Sequence, residues 1–330
     1  MNPRYPSVKR IFSRDFLFTY GFVIVLVLVI IYFSVAAQNF FSLETLFSVL
    51  HTAAPMFIMA SGLAFVIMTA NIDISIGSIA YLASALGAML ISRYDWPPLL
   101  GLIIIPILGV LMGAANGFIV TVLKVNPLIT TLGMLMALRG IGLQLTNSFV
   151  ISLPGDLRFI GNARLGPIYI DILISLAVLV IMYLVHTRTP FGRHVMAIGN
   201  GKDVAEKLGI KVNRVIFLSF VLSGLMAALG SIVLLFQIGG VTPTTGSGYE
   251  FTAIAMLVIG GVSLFGGEGS ILPGILLGGI TLTVIESGLH YIGASVYIYP
   301  FVRGGIIFIA MFADSLKMRV KPSVKMVEEV

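Results

Sequence analysis

The stretch Phe16 to Ala37, FLFTYGFVIVLVLVIIYFSVAA, runs for twenty-two residues without a charge. At about 1.5 Å per residue, a helix of that length reaches roughly 33 Å, enough to cross the hydrocarbon core of a bilayer. Arg4, Lys9, Arg10 and Arg14 precede it, and Ser34-Val35-Ala36 loosely resembles a signal-peptidase site. The apolar run is longer than the roughly 7–15 residues of a signal h-region, so it reads as a retained first span.

The rest of the chain has the same character. Hydrophobic residues fill 58% of the 330 positions and charged residues only 10%. A soluble domain carries about a quarter charged residues, so this chain must use lipid as part of its solvent. The absence of cysteine excludes disulfides, thiolate ligands and thiol nucleophiles. His51, His186, His194 and His290 are scattered, with no pair at metal-ligand spacing. The net charge of +6 sits in short loops and tails. That is the pattern of membrane orientation rather than of nucleic-acid binding.

Hydropathy predicts an all-α, polytopic transmembrane helical bundle of about ten spans, forming a single domain over 1–330. The spans are Phe16–Ala36, Leu50–Thr69, Ser78–Ile91, Leu99–Leu123, Pro127–Leu145, Ile168–Val185, Val215–Leu235, Phe251–Leu264, Leu272–Gly288 and Tyr297–Ala313. The third and eighth are short, which predicts broken or re-entrant helices. With the N-terminus in the cytoplasm, fifteen loop and tail cations fall on the cytoplasmic side. Only Arg93, Arg158 and Arg164 fall opposite. This asymmetry places both termini inside, with tails at 1–15 and 315–330 and a cytoplasmic loop at 188–214. Gly109, Gly113 and Gly117 recur every fourth residue, as do Gly274 and Gly278, giving faces for close helix packing. A faint repeat lays Ile67–Gly87 on Ile259–Gly279, matching Ile67 with Ile259, Gly77 with Gly269, Ser78 with Ser270, Ile79 with Ile271 and Gly87 with Gly279. Transporters are often built from such repeats.

Polar groups interrupt the apolar pattern at Thr69-Ala70-Asn71-Ile72-Asp73-Ile74-Ser75-Ile76-Gly77-Ser78. One reading is a broken helix whose Asn71, Asp73, Ser75 and Ser78 line a solute path. The other is a turn in which Asp73 or Ser75 caps the next helix. Glu286 is a further carboxylate within a span, and Arg303 or Arg139 is the expected partner in a structural ion pair. Glu286 is also a candidate on the solute path. No catalytic constellation is apparent. Gly199-Asn200-Gly201-Lys202 lacks the first glycine of a phosphate loop, with Met196 in its place, and Asp203 stands where Ser or Thr belongs.

The longest cytoplasmic segment between spans contains TPFGRHVMAIGNGKDVAEKLGI, Thr189 to Ile210. Lys202 to Leu208 is predicted as a short helix, with Asp203 and Lys207 suiting its dipole and Gly209 a C-cap. Val204 and Leu208 share one face of it. This stretch resembles the loop of ribose-type sugar permeases of the ATP-binding-cassette importers. Ile72-Asp73-Ile74-Ser75-Ile76-Gly77-Ser78 resembles that family's G-I-D-L-S-V-G-S. Val258-Ile259-Gly260-Gly261-Val262-Ser263-Leu264-Phe265-Gly266-Gly267 is similar to its V-I-G-G-x-S-L-x-G-G. The likeness covers roughly Phe40 to Asp314. Ala70-Asn71 departs from the family's Gly-Gly, and Asn71 is bulkier there and reaches positive φ less readily than glycine.

The resemblance implies a permease that forms the path for a sugar or sugar-like solute in a bacterial inner membrane and has no catalysis of its own. A cytoplasmic ATPase using ATP and Mg would drive it, an extracytoplasmic binding protein would deliver solute, and a second permease would complete the complex. This chain would bind no cofactor, metal or nucleic acid, and would be surrounded by membrane lipid. The resemblance makes the loop a coupling segment, with Phe191, Gly192, Ala197, Gly199, Asn200, Val204, Ala205, Leu208, Gly209 and Ile210 as its contact residues. An ion-coupled secondary carrier is the rival reading. It would need an intramembrane ion site, for which Glu286 and Asp73 are thin evidence.

Overall fold

A computed structural model describes residues 14–36, 40, 42–295 and 297–320. Arg4, Lys9, Arg10, Lys321 and Lys325, which bear on the charge asymmetry, lie outside the described residues, as do most of the two proposed tails. Thirteen helices are described, α1 Arg14–Ala36, α2 Leu43–Met68, α3 Ile76–Arg93, α4 Pro98–Thr121, α5 Pro127–Thr146, α6 Gly155–Arg158, α7 Ile170–Arg188, α8 Pro190–Asn200, α9 Lys202–Lys207, α10 Val212–Ile238, α11 Tyr249–Ile259, α12 Leu276–Tyr291 and α13 Ile298–Val320. Among the described residues, seven segments are long and apolar enough to cross a membrane, and three shorter apolar stretches lie in α1, α11 and α13.

Local chemistry sets the boundaries. Ser42 caps α2, its Oγ accepting from Thr45 N at 3.1 Å, so this helix starts two turns before the apolar run does. Asn126 caps α5 in the same way, with Pro127 at the first helical position. The eighth predicted span is shorter than expected: α11 stops at Ile259, because Gly260 and Gly261 follow and Gly261 turns left-handed at φ +86°. The last helix runs on to Val320, so residues 315–320 are helical rather than a tail.

Successive long helices alternate in direction, and their connections gather at two ends. At one end β1 (Ile151–Ser152) pairs antiparallel with β4 (Gly240–Val241), beside a second ladder of β2 (Arg164–Leu165) and β3 (Ile168–Tyr169). At the other end lie α8, α9 and the connections after α2, α4 and α11.

Helices α2, α3 and α10 form the buried centre, and α4, α5 and α7 turn broad apolar faces outward. The α4–α10 contact is a glycine seam: a Cβ on Gly109 would sit 2.4 Å from Ala228 Cβ and one on Gly113 2.5 Å from Phe220 O. Lipid offers helices no hydrophobic reason to associate, so backbone proximity and dispersion must hold this contact together.

Candidate functional site: the helix break and the loop that meets it

Between α2 and α3 the chain leaves helical geometry for seven residues. Thr69 closes α2, donating Oγ1 to Val66 O at 2.7 Å. The left-handed residue is Ala70, at φ +58°, rather than Asn71. Asn71 donates Nδ2 to Thr69 O and Thr69 Oγ1, each at 2.9 Å, and stiffens that turn. The departure from Gly-Gly therefore places backbone strain on an alanine.

Asp73 then turns inward and is wholly buried. Its Oδ1 accepts from Ser75 N at 2.9 Å and from Ser75 Oγ at 2.6 Å, and its Oδ2 accepts from Ser223 Oγ of α10 at 2.9 Å. Asn116 of α4 donates Nδ2 to Ser75 Oγ at 2.8 Å. Three of these four side chains come from different elements, and all four are buried. Ser223 lies eleven residues into α10 from Val212, roughly 16 Å along the helix, so the network sits deep in the bundle. A carboxylate at such depth persists only where protein or water replaces its hydration, and here hydroxyl and amide donors do so. Both sequence readings hold a part: Asp73 caps locally through Ser75, and it also fastens the break to the bundle.

Ser78, one turn into α3, is buried, and its hydroxyl has no partner among the described residues. Gly77 beside it meets Gly246, which belongs to the connection entering from the opposite end. A Cβ on Gly77 would lie 2.1 Å from Gly246 O, so two irregular segments touch backbone to backbone. Arg139 of α5 braces that second segment, donating Nη1 to Thr245 O at 2.7 Å while stacking 4.6 Å from the Tyr81 ring centroid. Arg139 is thus committed to carbonyls and aromatic face. Glu286 pairs instead with Arg303, Oε1 accepting from Nε at 2.6 Å. Asp73 and Glu286 have separate partners. No group of three His, Cys, Asp or Glu suited to a metal occurs among the described residues.

The loop 188–214 holds two helices where the sequence reading anticipated one. Thr189 caps α8 and Pro190 opens it, with Gly192, Val195 and Ile198 buried at helical spacing. Phe191 stacks on Phe65 of α2, centroids 5.5 Å apart. Ala197 is half-buried. At the far end of α8 the backbone of Gly199 passes so close to Met68 that a Cβ would lie 2.0 Å from Met68 O and 2.2 Å from Gly267 N. Asn200 donates Nδ2 to Gly267 O at 3.0 Å, and Gly267 N donates to Met68 O at 3.0 Å. Two of the sequence motifs, the loop and Val258–Gly267, therefore meet at the end of α2, four residues before the third motif begins at Ile72.

Helix α9 follows, closed by a Schellman motif in which Ile210 N donates to Ala205 O and Gly209, at φ +80°, donates to Glu206 O. Ala205 is 1% exposed and packs into the chain itself, while Val204 and Leu208 are 61% and 73% exposed. The Ala205 methyl thus faces inward in this chain rather than outward. The outward apolar pair is Val204 and Leu208.

Sequence reasoning missed Asn116 and Ser223, whose roles exist only through contacts 41 and 150 residues away. It also missed a cluster at the opposite end, where His51 Nδ1 lies 2.6 Å from Asp171 Oδ2 and Gln237 donates Nε2 to the same oxygen at 2.6 Å.

A sequence profile for the family described as "Branched-chain amino acid transport system / permease component" matches residues 45–311. The chain belongs to that permease family. The ribose import permease protein RbsC of Escherichia coli strain K12 is 32% identical over 324 residues, covering 94% of this permease and 98% of RbsC. The autoinducer 2 import system permease protein LsrC of Photorhabdus laumondii is 34% identical over 287 residues, 85% of this permease and 84% of LsrC. The probable ABC transporter permease protein YphD of E. coli K12 is 34% identical over 312 residues, 94% and 93% of the two chains. No solved structure matches the permease.

Proposed function

We propose that this permease is the transmembrane subunit of an ATP-binding-cassette importer for a sugar or sugar-like solute. It would work with a separate cytoplasmic ATPase, an extracytoplasmic binding protein and a second permease, identical or homologous. The names of its relatives support importer and solute class. The observation that carries the coupling role is the convergence of α8 with the breaks after α2 and α11. A push on α9 passes through Gly199 and Asn200 to Met68 and Gly267, hence to the segment bearing Asp73.

In this reading the chain crosses a bacterial inner membrane ten times, the seven long segments joined by α1, α11 and α13, with both termini and 188–214 cytoplasmic. Asn71, Asp73, Ser75 and Ser78 shape the path by holding the break rather than by gripping solute, and Glu286 contributes through its pair with Arg303. Phe191, Gly192, Ala197, Gly199, Asn200, Ala205, Gly209 and Ile210 set the form of the coupling segment, and Val204 with Leu208 meets the ATPase. ATP and Mg belong to that partner. Nothing specific favours the ion-coupled carrier, since Asp73 is enclosed by donors and Glu286 is paired with Arg303.

The test is uptake into proteoliposomes holding permease, ATPase and binding protein. Solute accumulation should follow internal ATP and persist when an ionophore collapses ion gradients. Accumulation lost to the ionophore with ATP intact would overturn the importer reading. In the same vesicles, single cysteines replacing Lys202 and Asp156 report orientation: an impermeant thiol reagent outside labels position 156 and misses 202 in correctly oriented chains. The reverse pattern contradicts the proposed sidedness.

A further inference from the structure

Two adjoining cavities, one of mixed polar and apolar lining and one almost wholly apolar, open at the end of the bundle away from α8 and α9. One, of about 440 Å³, is lined by Ser42, Glu44, Thr45, Ser48, Arg164 and Tyr169, with Tyr291 at its rim. The other, of about 270 Å³, is lined by Ile30, Phe40, Leu46, Val49, Ile280 and Val284. They share Ser42, Leu43 and Thr45 as lining residues and therefore adjoin.

Polarity and depth change together along this pair. The polar cavity is framed by the first turn of α2, the ladder strand carrying Arg164, and the last residue of α12, Tyr291. The apolar slot uses residues further into each helix. Val49 lies seven residues beyond Ser42 on α2, Val284 seven before Tyr291 on α12, and Ile30 six before the end of α1. Seven helical residues correspond to about 10 Å. The pair thus runs from the level where tyrosines mark the membrane–water interface into the hydrocarbon region. A wall supports it: Tyr291 lies edge-on to Phe40 at 5.4 Å, Phe40 lies 5.6 Å from Phe33, and Tyr291 OH reaches Thr45 Oγ1 at 3.4 Å.

The charges in the polar cavity are one of each sign. The Arg164 guanidinium is held over the Tyr169 ring, 4.0 Å from its centroid, and bonds the Tyr169 hydroxyl. Glu44, in the first turn of α2, lines the same cavity. Neither takes part in an ion pair among the described residues, whose pairs are His51–Asp171 and Glu286–Arg303. A guanidinium suits a phosphate and a carboxylate suits an ammonium.

We propose that these adjoining cavities bind one aminophospholipid, its phosphate on Arg164, its ammonium on Glu44, and one acyl chain in the slot between α1, α2 and α12. The bound lipid fastens α1 and the β2–β3 ladder to the first turn of α2. The site needs only that the bundle spans a membrane, so it stands apart from the solute and the ATPase.

The experiment is native mass spectrometry of the detergent-solubilised permease titrated with phosphatidylethanolamine or phosphatidylglycerol of matched chains. Wild type is expected to retain phosphatidylethanolamine about tenfold better, the scale of one desolvated charge contact. Glu44→Gln should erase that preference, Arg164→Gln should weaken both lipids, and Val49→Trp should weaken both by filling the slot. Glu44 and Arg164 are exposed, so their variants keep the fold even where Val49→Trp does not. Lys124→Gln, at the other end of the bundle, should change nothing. Equal retention of the two lipids by wild type, or a preference that survives Glu44→Gln, would overturn the proposal. So would retention of glycerophosphoethanolamine, which has no acyl chain, as strongly as the intact lipid.

Discussion

The chain breaks helical geometry after α2 and again after α11, and the two breaks are built from opposite materials. Matching Ile67 with Ile259 sets Asp73 opposite Phe265 and Ser75 opposite Gly267. The first break is tied by its carboxylate to Ser75 and Ser223, and Asp73 is wholly buried. The second has Phe265 at 42% exposure in the equivalent place, and Gly261, Gly266, Gly267 and Gly269 all adopt positive φ. Polar side chains hold the first in one shape, while glycines let the second take the tight turns that bring Gly267 against Asn200 and Met68. One break is thus pinned by side chains and the other shaped by its backbone. The two touch at one backbone hydrogen bond, Gly267 N to Met68 O.

The largest effect should come from spoiling the place where they touch. Gly199→Val drives a side chain into Met68 O and Gly267 N, which are backbone atoms and cannot rotate away. It is expected to destabilise by about 3 kcal/mol or more and to abolish uptake, the upper range for overpacking. Thermal unfolding in detergent and vesicle uptake check this, and a near-native pair of values would contradict the contact.

The anchor is broken more gently through its polar network. Asp73→Asn and Ser223→Ala, made singly and together, form a cycle with an expected coupling of about 1–2 kcal/mol, the range for contacting residues. Asp73→Asn should also lower uptake. Strict additivity would show that the bond between α10 and the break contributes nothing.

The smallest effect sharpens the contrast. Ala70 holds φ +58° in the anchoring break, a conformation costing an L-residue about 1–2 kcal/mol, partly offset by glycine's extra chain entropy. Ala70→Gly is therefore expected to change stability by less than about 1 kcal/mol, in the stabilising direction, with uptake unaltered. A clear loss of stability in melting curves would mean that the Ala70 methyl packs usefully against Gly266.

Much of the bundle was legible because apolar runs and loop charges obey one-dimensional rules. The Glu286–Arg303 pair was legible too, as two opposite charges facing an apolar surround. Helix α8 carries a start signal in the sequence, Thr189 followed by Pro190, whereas the burial of 192, 195 and 198 shows only in the fold. The Asp73 network was not legible beyond Ser75, because Ser223 and Asn116 look like ordinary small polar residues in apolar helices. Only the packing of α4 and α10 through their glycine seam brings them to the break. The burial of Ala205 was not legible for a related reason. On a six-residue helix the sequence does not say which side faces the rest of the loop, and the small residue turns inward while the larger Val204 and Leu208 stay outside.

The account centres on α9 as the point where force enters and on α8 as the route to both breaks. Leu208→Arg addresses it most directly, since Leu208 is 73% exposed and its replacement leaves the packing of Ala205 and Gly199 intact. The measurement is co-purification of the ATPase subunit with wild-type and Leu208→Arg permease at matched expression, with ATP-driven uptake read in parallel. The account predicts an unchanged melting temperature for the permease alone, ATPase recovery reduced about tenfold by loss of an apolar contact and burial of a charge, and uptake lowered with it. Full ATPase recovery with undiminished uptake would contradict it, leaving α9 as a helix resting on the membrane surface.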